Sequence, residues 1–213
     1  MATVDSLKSL LVEQIKDMYD AEKRLTKAIP KLAKASTNED LISALEEHLG
    51  ETQNHVSRLE QVFELLEERA KAKPCKAMQG LIEEGDEHAK EDYDDDDLRD
   101  AMIIGSAQRV EHYEIAAYGT AIAHARLLEL DDVVELLEQT LGEEKAADEK
   151  LTEIAESVVN VEAAQGEDEE EEAEAAPAGR AGRAPRGSQA RAMSADRGRS
   201  GARSGSGSRK SSR

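Results

Sequence analysis

The residue types that form disulfides, aromatic cores and membrane spans are scarce in this chain. Its 213 residues contain no tryptophan, one phenylalanine and one cysteine, and aromatic residues make up 2% of the total. A lone cysteine, Cys75, excludes an intramolecular disulfide. No apolar run approaches the roughly 18 residues of a membrane span, and the N-terminal stretch MATVDSLKSLLVEQ lacks the basic and apolar regions of a signal peptide. We therefore expect a cytoplasmic protein with no membrane partner.

The charge is strongly negative but unevenly distributed. The formal net charge is −19, yet from residue 177 onward nine Arg and one Lys face a single acid, Asp196. That segment therefore carries +9, and the first 176 residues carry −28. Such an acidic body disfavours binding of nucleic acid or an anionic membrane through its own surface. The basic tail could still contact phosphates weakly as a flexible arm, or it could be a solubilising appendage.

The abundance of Ala, Leu, Glu and Lys, together with apolar periodicity, predicts an all-α protein. Four long helices are expected: about Ser6 to Ala35, from the segment STNEDL to Leu66, about Leu98 to Leu128, and from the segment ELDD to about Val158. The long connection between the second and third helices contains a further short helix, predicted at about Ala77 to Ala89.

The character of the chain changes after the fourth helix. EDEEEEAE (167–174) is a charge run, and the Gly/Ser/Arg-rich segment after it cannot bury enough apolar surface to offset its ordering entropy. The sequence thus predicts three parts: a four-helix bundle over residues 1–160, an acidic disordered linker over 161–176 and a basic disordered tail over 177–213.

Acidic and imidazole side chains interrupt the apolar stripe of all four long helices. Each interruption falls near the midpoint of its helix, and in a bundle the midpoints meet at one level. They comprise six carboxylates and two histidines: Glu22, His48, Glu51, His55, Glu111, Glu114, Glu144 and Asp148. Helix-bundle di-metal sites use carboxylates and imidazoles that project inward from facing helices in this way.

Each of these residues also has an ordinary structural explanation. A Glu on an apolar stripe often lies at its edge in contact with water, and a core His often bonds to backbone or tyrosine. Arg58, Arg109 and Lys145 could instead neutralise some of the acids as buried ion pairs. These explanations apply to one residue at a time, whereas a metal cluster explains why the interruptions share a level. His55 is the better imidazole candidate, and Asp148 is the weakest ligand candidate.

The metal expected from this set of donors is iron, manganese or zinc, since no soft sulfur ligand is offered. Two such ions would supply positive charge close to that needed to balance the carboxylates. Tyr19, Tyr113 and Tyr118 lie near the predicted cluster and could hydrogen-bond to its ligands.

Five segments in order carry a resemblance to a known family: YDAEKRL, HLGETQNHVSRLEQVFELL, CKAMQGLIEEG, AQRVEHYEIAAYGTA and LGEEKAADEKLTEIAE. Together they resemble the YciE/YciF-type ferritin-like stress proteins over about residues 4 to 160. The resemblance implies a ferritin-like four-helix bundle with a long crossover between helices two and three, a homodimer, a two-iron centre and ferroxidase-type chemistry. The pair Glu111 and Glu114 looks like the third-helix Glu-x-x-Glu of rubrerythrins.

The chain departs from the usual ferritin-like Glu-x-x-His pattern. Asn54 stands three residues after Glu51, and Ala147 stands three residues after Glu144. Three functions therefore stay open: an Fe(II)-oxidising protein that uses O2 or peroxide, a non-catalytic stress or scaffold dimer with a structural or vestigial site, and a manganese catalase-like enzyme.

Overall fold

The computed structural model describes residues 4–165, and every regular element in that range is helical. The elements are α1 (Leu7–Ala35), α2 (Glu39–Leu65), α3 (Lys76–His88), α4 (Asp96–Leu127) and α5 (Asp131–Ile154), followed by a π-helical turn at Ala155–Val159. The four long helices and the short helix in the second connection are thus confirmed. In the described part of the chain, no helix combines the length and apolar character needed to cross a membrane.

Neighbouring long helices run antiparallel. Tyr19 of α1 donates a hydrogen bond to Glu60 of α2 at 2.6 Å, and His124 near the end of α4 bonds to Gln14 near the start of α1 at 2.8 Å. Arg58 of α2 similarly reaches Thr140 of α5 at 2.6 Å. These contacts define a four-helix bundle in which α1 borders α2 and α4, and α5 borders the same two helices.

The connection from α2 to α4 returns the chain to the end of the bundle where α2 began. Asp100, in the first turns of α4, accepts hydrogen bonds from the backbone N–H groups of Thr37 and Asn38, at 3.0 and 2.7 Å. α3 lies within this connection, where Lys31 pairs with Asp86 and His88 bonds to Ser106. This arrangement is the ferritin-like crossover that the sequence predicts.

Local sequence signals explain where the helices begin. Ser6 caps α1 and forms a reciprocal capping box with Ser9, while Asn38 caps α2 and Asp95 caps α4. Their side-chain oxygens satisfy amide groups that have no partner in the first helical turn.

The helical body continues further than the predicted boundary at residue 160. After the π-helical turn the chain stays helical to residue 165, and Val159 and Ala163 are buried. The last helix thus reaches into the segment predicted to be an acidic disordered linker, where the burial of Ala163 shows that it packs on the body. The rest of that predicted linker and the whole predicted basic tail lie outside the described residues.

The apolar core consists of two clusters, one toward each end of the bundle. The first includes Ile29, Leu41 and Ile103, and the second includes Leu11, Phe63 and Leu137. The polar residues that interrupt the helix stripes lie between these clusters. The bundle therefore holds them in a layer with apolar packing on both sides.

Candidate metal centre

Six of the eight predicted residues meet in this polar layer. They come from all four long helices and are at most 7% exposed: Glu22 from α1, His48 and His55 from α2, Glu111 and Glu114 from α4, and Glu144 from α5. Buried charged groups of this kind require a compensating partner. Within the described residues, no Arg or Lys forms an ion pair with any of these four glutamates.

The closest side chains form two triads of donor atoms that share one carboxylate. Glu22, His55 and Glu144 form the inner triad, and His48, Glu111 and Glu144 form the outer triad. Within each triad the ligand atoms lie within 4.8 Å of one another. Glu144 directs Oε1 to His55 Nδ1 at 3.1 Å and Oε2 to His48 Nε2 at 3.7 Å. Its two oxygens thus face different triads, as in a bridging carboxylate.

A hydrogen-bond chain sets the orientation of His55. Its Nε2 lies 2.7 Å from Glu143 Oε2, and Arg58 donates to both oxygens of Glu143 at 2.8 and 3.0 Å. Because Glu143 is a carboxylate held by Arg58, Nε2 of His55 carries the proton and Nδ1 faces the inner triad. This is the carboxylate–histidine arrangement that orients metal-ligating imidazoles.

His48 is held in the opposite tautomer. Its Nδ1 donates to Glu51 Oε2 at 3.2 Å, so its Nε2 faces the outer triad, 3.4 Å from Glu111 Oε1. The side chain of Glu51 is 36% exposed and belongs to neither triad. Both histidines therefore face the cluster, and Glu51 lies beside it as the hydrogen-bond partner of His48.

Glu114 and Asp148, like Glu51, lie outside both triads. Glu114 is buried, and its Oε2 has no hydrogen-bond partner. Asp148 turns away: it accepts a hydrogen bond from Gln108 at 3.2 Å and lies 3.4 Å from the exposed His112. Asp148 is one helical turn after Glu144, but the contacts with α4 direct its carboxylate to the bundle surface.

Tyrosines surround the cluster unequally. Tyr118 donates a 2.5 Å hydrogen bond to Glu22, and both side chains are fully buried. Tyr113 instead bonds to Asp17 and to the thiol of Cys75, at 2.8 and 3.0 Å. Of the tyrosines predicted near the site, Tyr118 touches a triad residue.

Glu143 is a residue of the site that the stripe pattern does not reveal. Its side chain is 34% exposed, and its position directly before Glu144 places it off the apolar face. The sequence signal for it is Arg58, which lies one turn after His55 and needs a carboxylate partner of its own.

The electrostatics of the cluster suit a bound cation. Burial, and then repulsion by Glu144, raise the pKa of Glu111 well above its usual value. Burial and neighbouring carboxylates do the same for the pKa of Glu114. Burial disfavours a charged His55, but the adjacent Glu144 and Glu22 outweigh this effect and raise the pKa of its imidazole to about 10. In the metal-free protein these shifts favour the protonated forms of Glu111, Glu114 and His55, and a bound cation would replace those protons.

Seven buried side-chain atoms in the layer have no hydrogen-bond partner. They are Glu22 Oε2, His48 Nε2, His55 Nδ1, Glu111 Oε2, Glu114 Oε2 and both oxygens of Glu144. A buried polar atom without a hydrogen-bond partner destabilises a fold by about 1–3 kcal/mol. All seven belong to residue types that coordinate iron, manganese or zinc, so the residues present fit a metal centre.

Two cavities border the outer triad. A cleft of about 160 Å³ between α2 and α5 is lined by His48, Glu51 and Glu111 together with Glu47, Lys150 and apolar side chains. A smaller cavity of about 30 Å³ lies among α1, α2, α3 and α4, and its lining is mostly apolar. His48 and Glu111 line both cavities.

Comparison with known proteins identifies the family to which the chain belongs. Residues 6–164 match the family described as a domain of unknown function, DUF892. The chain is 43% identical to protein YciF of Escherichia coli K12 over 159 residues, which are 74% of this chain and 95% of YciF.

Solved structures give the same result. The crystal structure of the E. coli stress protein YciF is similar to this fold with a TM-score of 0.70 and 42% identity, over 74% of this chain and 99% of that one. YcfI from Rhodopseudomonas palustris gives a TM-score of 0.68 and 46% identity, over 70% and 94%. The chain therefore belongs to the DUF892 family, the ferritin-like helical proteins of which YciF is a member.

Proposed function

We propose that this protein is a ferritin-like stress-response protein that binds two iron ions and oxidises Fe(II) with O2 or peroxide. The observation that supports this most directly is Glu144, which is fully buried and whose two oxygens, neither with a hydrogen-bond partner, face the imidazoles of different triads. A shared carboxylate between two sets of protein donors is the arrangement found in helix-bundle di-metal proteins. The similarity to the stress protein YciF supports the physiological context.

The protein side chains supply three functions in this proposal. Glu22, Glu111, Glu144 and the two histidines would hold the ions, and Tyr118 fixes the Glu22 carboxylate through its hydrogen bond. Bound iron would supply redox chemistry: two Fe(II) become two Fe(III) while one H2O2 takes up two electrons and two protons to give two waters. The inner triad is completely buried between the two apolar clusters, which exclude bulk water from it.

The ligand chemistry favours iron over copper. The triads contain carboxylates and imidazoles but no sulfur donor, and soft Cu(I) prefers thiolate or thioether. The thiol of Cys75 is engaged elsewhere, since it caps α3 and bonds to Tyr113. Manganese and zinc fit the same donors, so metal analysis discriminates among them.

The proposal also includes a homodimer, as the family resemblance implies, a cytoplasmic location, and weak contact of the basic tail with nucleic acid. The dimer is tested by the mass of the purified protein in solution. A gel-shift assay with DNA tests the nucleic-acid contact: the full chain should retard DNA, and protein that ends at residue 176 should not. The assay is run at low salt because phosphate contacts weaken steeply as salt rises.

Metal content of protein purified without chelator, followed by Fe(II) oxidation assays, tests the central proposal. Two iron ions per chain, and Fe(II) oxidation that is faster than in buffer without the protein, support it. Manganese with peroxide disproportionation supports the catalase-like alternative, and no metal supports the scaffold alternative.

The variant Glu144→Gln keeps the side-chain shape and removes the shared carboxylate. We expect it to lose both ions and the oxidation activity. Glu149→Gln, an exposed change on the same helix, is the matched control. Two bound ions in Glu144→Gln would show that Glu144 is not the shared ligand.

A further inference from the structure

The two triads differ in their access to solvent. Glu22, His55 and Glu144 of the inner triad are completely buried. His48 and Glu111 of the outer triad line the cleft between α2 and α5. An ion that enters through this cleft therefore meets the outer triad first.

The cleft has the features of a cation passage. Glu47 and Glu51 lie along its polar edge, while Ala146 and Ala147 of α5 leave space between the helices. At its buried end, His48 Nε2 and Glu111 Oε2 have no hydrogen-bond partner. These two side chains are 7% and 3% exposed, so unsatisfied ligand atoms border a cavity large enough for several water molecules.

The second cavity at the outer triad does not suit a cation. It is about 30 Å³ in volume and is bordered by aliphatic residues such as Leu25, Ile29 and Val110. Asp86 at its edge is paired with Lys31 at 2.7 Å. Before it reached Glu111, a hydrated divalent ion would lose its water shell among these aliphatic side chains without meeting another free carboxylate, and such desolvation is unfavourable.

We propose that divalent cations reach the centre through the α2–α5 cleft, that Glu51 transfers them from its mouth to the outer triad, and that the inner triad fills through the outer one. This inference rests on the proposed di-metal site and adds the route by which it is loaded. Glu51 is thereby a positioning and transfer residue rather than a permanent ligand.

The position of Glu51 explains this role. It accepts a hydrogen bond from His48 at 3.2 Å, and its side chain is 36% exposed, so one carboxylate contacts both the solvent and a ligand of the outer triad. A negative group at the mouth of a low-dielectric cleft concentrates cations there. Across the same mouth, Lys150 of α5 pairs with Glu47 of α2 at 2.6 Å. Of the two carboxylates at the mouth, Glu51 is therefore the one that has no Lys or Arg partner among the described residues.

Blocking the cleft with an uncharged side chain tests the route. Ala147→Leu adds three carbon atoms to the wall of the cleft, and Ala116→Leu on the exposed face of α4 is the matched control. Loading is followed by stopped-flow absorbance of Co(II), which reports binding without any oxidation. We expect Ala147→Leu to slow loading by about tenfold, equivalent to about 1.4 kcal/mol in the barrier, with two Co(II) per chain at the end point.

Removing the transfer carboxylate tests the same route without changing the packing. Glu51→Gln should slow Co(II) loading by roughly three- to tenfold and reduce its dependence on salt, because the steering charge is lost. Glu46→Gln, an exposed change on the same helix outside the cleft, should load at the parental rate. Circular dichroism of all variants identifies any that fail to fold. If Ala147→Leu fails to fold, Glu51→Gln still tests the route.

The outcomes separate this inference from the function on which it rests. Parental loading rates in folded Ala147→Leu and Glu51→Gln would overturn the route and leave the di-metal site intact. Slower loading in both, with parental protein that binds Co(II) but does not oxidise Fe(II), would support the route and remove the ferroxidase proposal. Parental protein that binds no Co(II) would overturn both.

Discussion

Replacing Glu114 by Gln should stabilise the metal-free protein at neutral pH. Glu114 is 2% exposed, and one of its carboxylate oxygens has no hydrogen-bond partner. Burial, followed by repulsion from Glu22, Glu144 and Glu111, raises its pKa well above the usual 4.5. The metal-free fold therefore favours the protonated carboxyl at pH values where the unfolded chain ionises it.

The sign and size of the effect follow from this difference. A group whose pKa is raised on folding contributes stability below its unfolded pKa and loses that contribution as pH rises toward its folded pKa. Each pH unit in this window corresponds to about 1.36 kcal/mol, so retaining the proton at pH 7 costs up to about 3 kcal/mol relative to the unfolded chain. Gln does not titrate, and it has nearly the same shape. Its advantage over Glu should therefore be close to zero near pH 4.5 and reach up to about 3 kcal/mol at pH 7.

Urea unfolding of both proteins in the presence of a chelator, at several pH values from 4.5 to 7, measures this difference. The exposed control Glu149→Gln should change the unfolding free energy by less than about 0.5 kcal/mol at every pH. With metal present the order should reverse if Glu114 interacts with the bound ions. A Gln variant that is no more stable than the parent at pH 7, or whose advantage does not change with pH, would refute the reasoning.

Three further results are expected. Arg58→Met should weaken metal affinity by about 10–100-fold in chelator competition, because the carboxylate that orients His55 loses its support; unchanged affinity would contradict that role. Asp100→Asn should lower the free energy of unfolding by about 1–3 kcal/mol without altering metal stoichiometry. The reason is the loss of a buried carboxylate that accepts hydrogen bonds from backbone N–H groups of the α1–α2 connection. Truncation after residue 165 should leave the thermal midpoint unchanged within a few degrees, whereas truncation before the buried Val159 should lower it clearly; equal midpoints would show that the terminal turns contribute nothing.

Residue order alone determined the helices and the faces they bury. The periodic apolar positions place Glu22, Glu111 and Glu144 on inward faces, because a helix repeats every 3.6 residues whatever it packs against. The interruptions near the helix midpoints also indicated that these side chains would share a level, and the structure brings them together there. The capping residues Asn38 and Asp95 act through neighbours only two or three positions away, so local sequence suffices for the starts of α2 and α4. α5, by contrast, begins after Leu130 without a side-chain cap.

Tertiary structure decided which atoms meet. By periodicity alone, Glu51 shares a helix face with His48, and Asp148 shares one with Glu144. In the structure, Glu51 bonds to His48 outside the triads, and Asp148 turns to Gln108. Periodicity gives the direction of a side chain around its helix, but not its rotamer or its depth.

The sharing of Glu144 between two triads, and the support of His55 by Glu143 and Arg58, depend on α2 and α5 packing at one particular offset. That offset is set by interlocking of the apolar residues above and below the polar layer, many of them distant in the chain. A slip of one helical turn between α2 and α5 would move a carboxylate oxygen by about 5.4 Å. The approach of such an oxygen to within about 3 Å of an imidazole would then be lost. The donor types could therefore be predicted from the sequence, while their pairing required the assembled bundle.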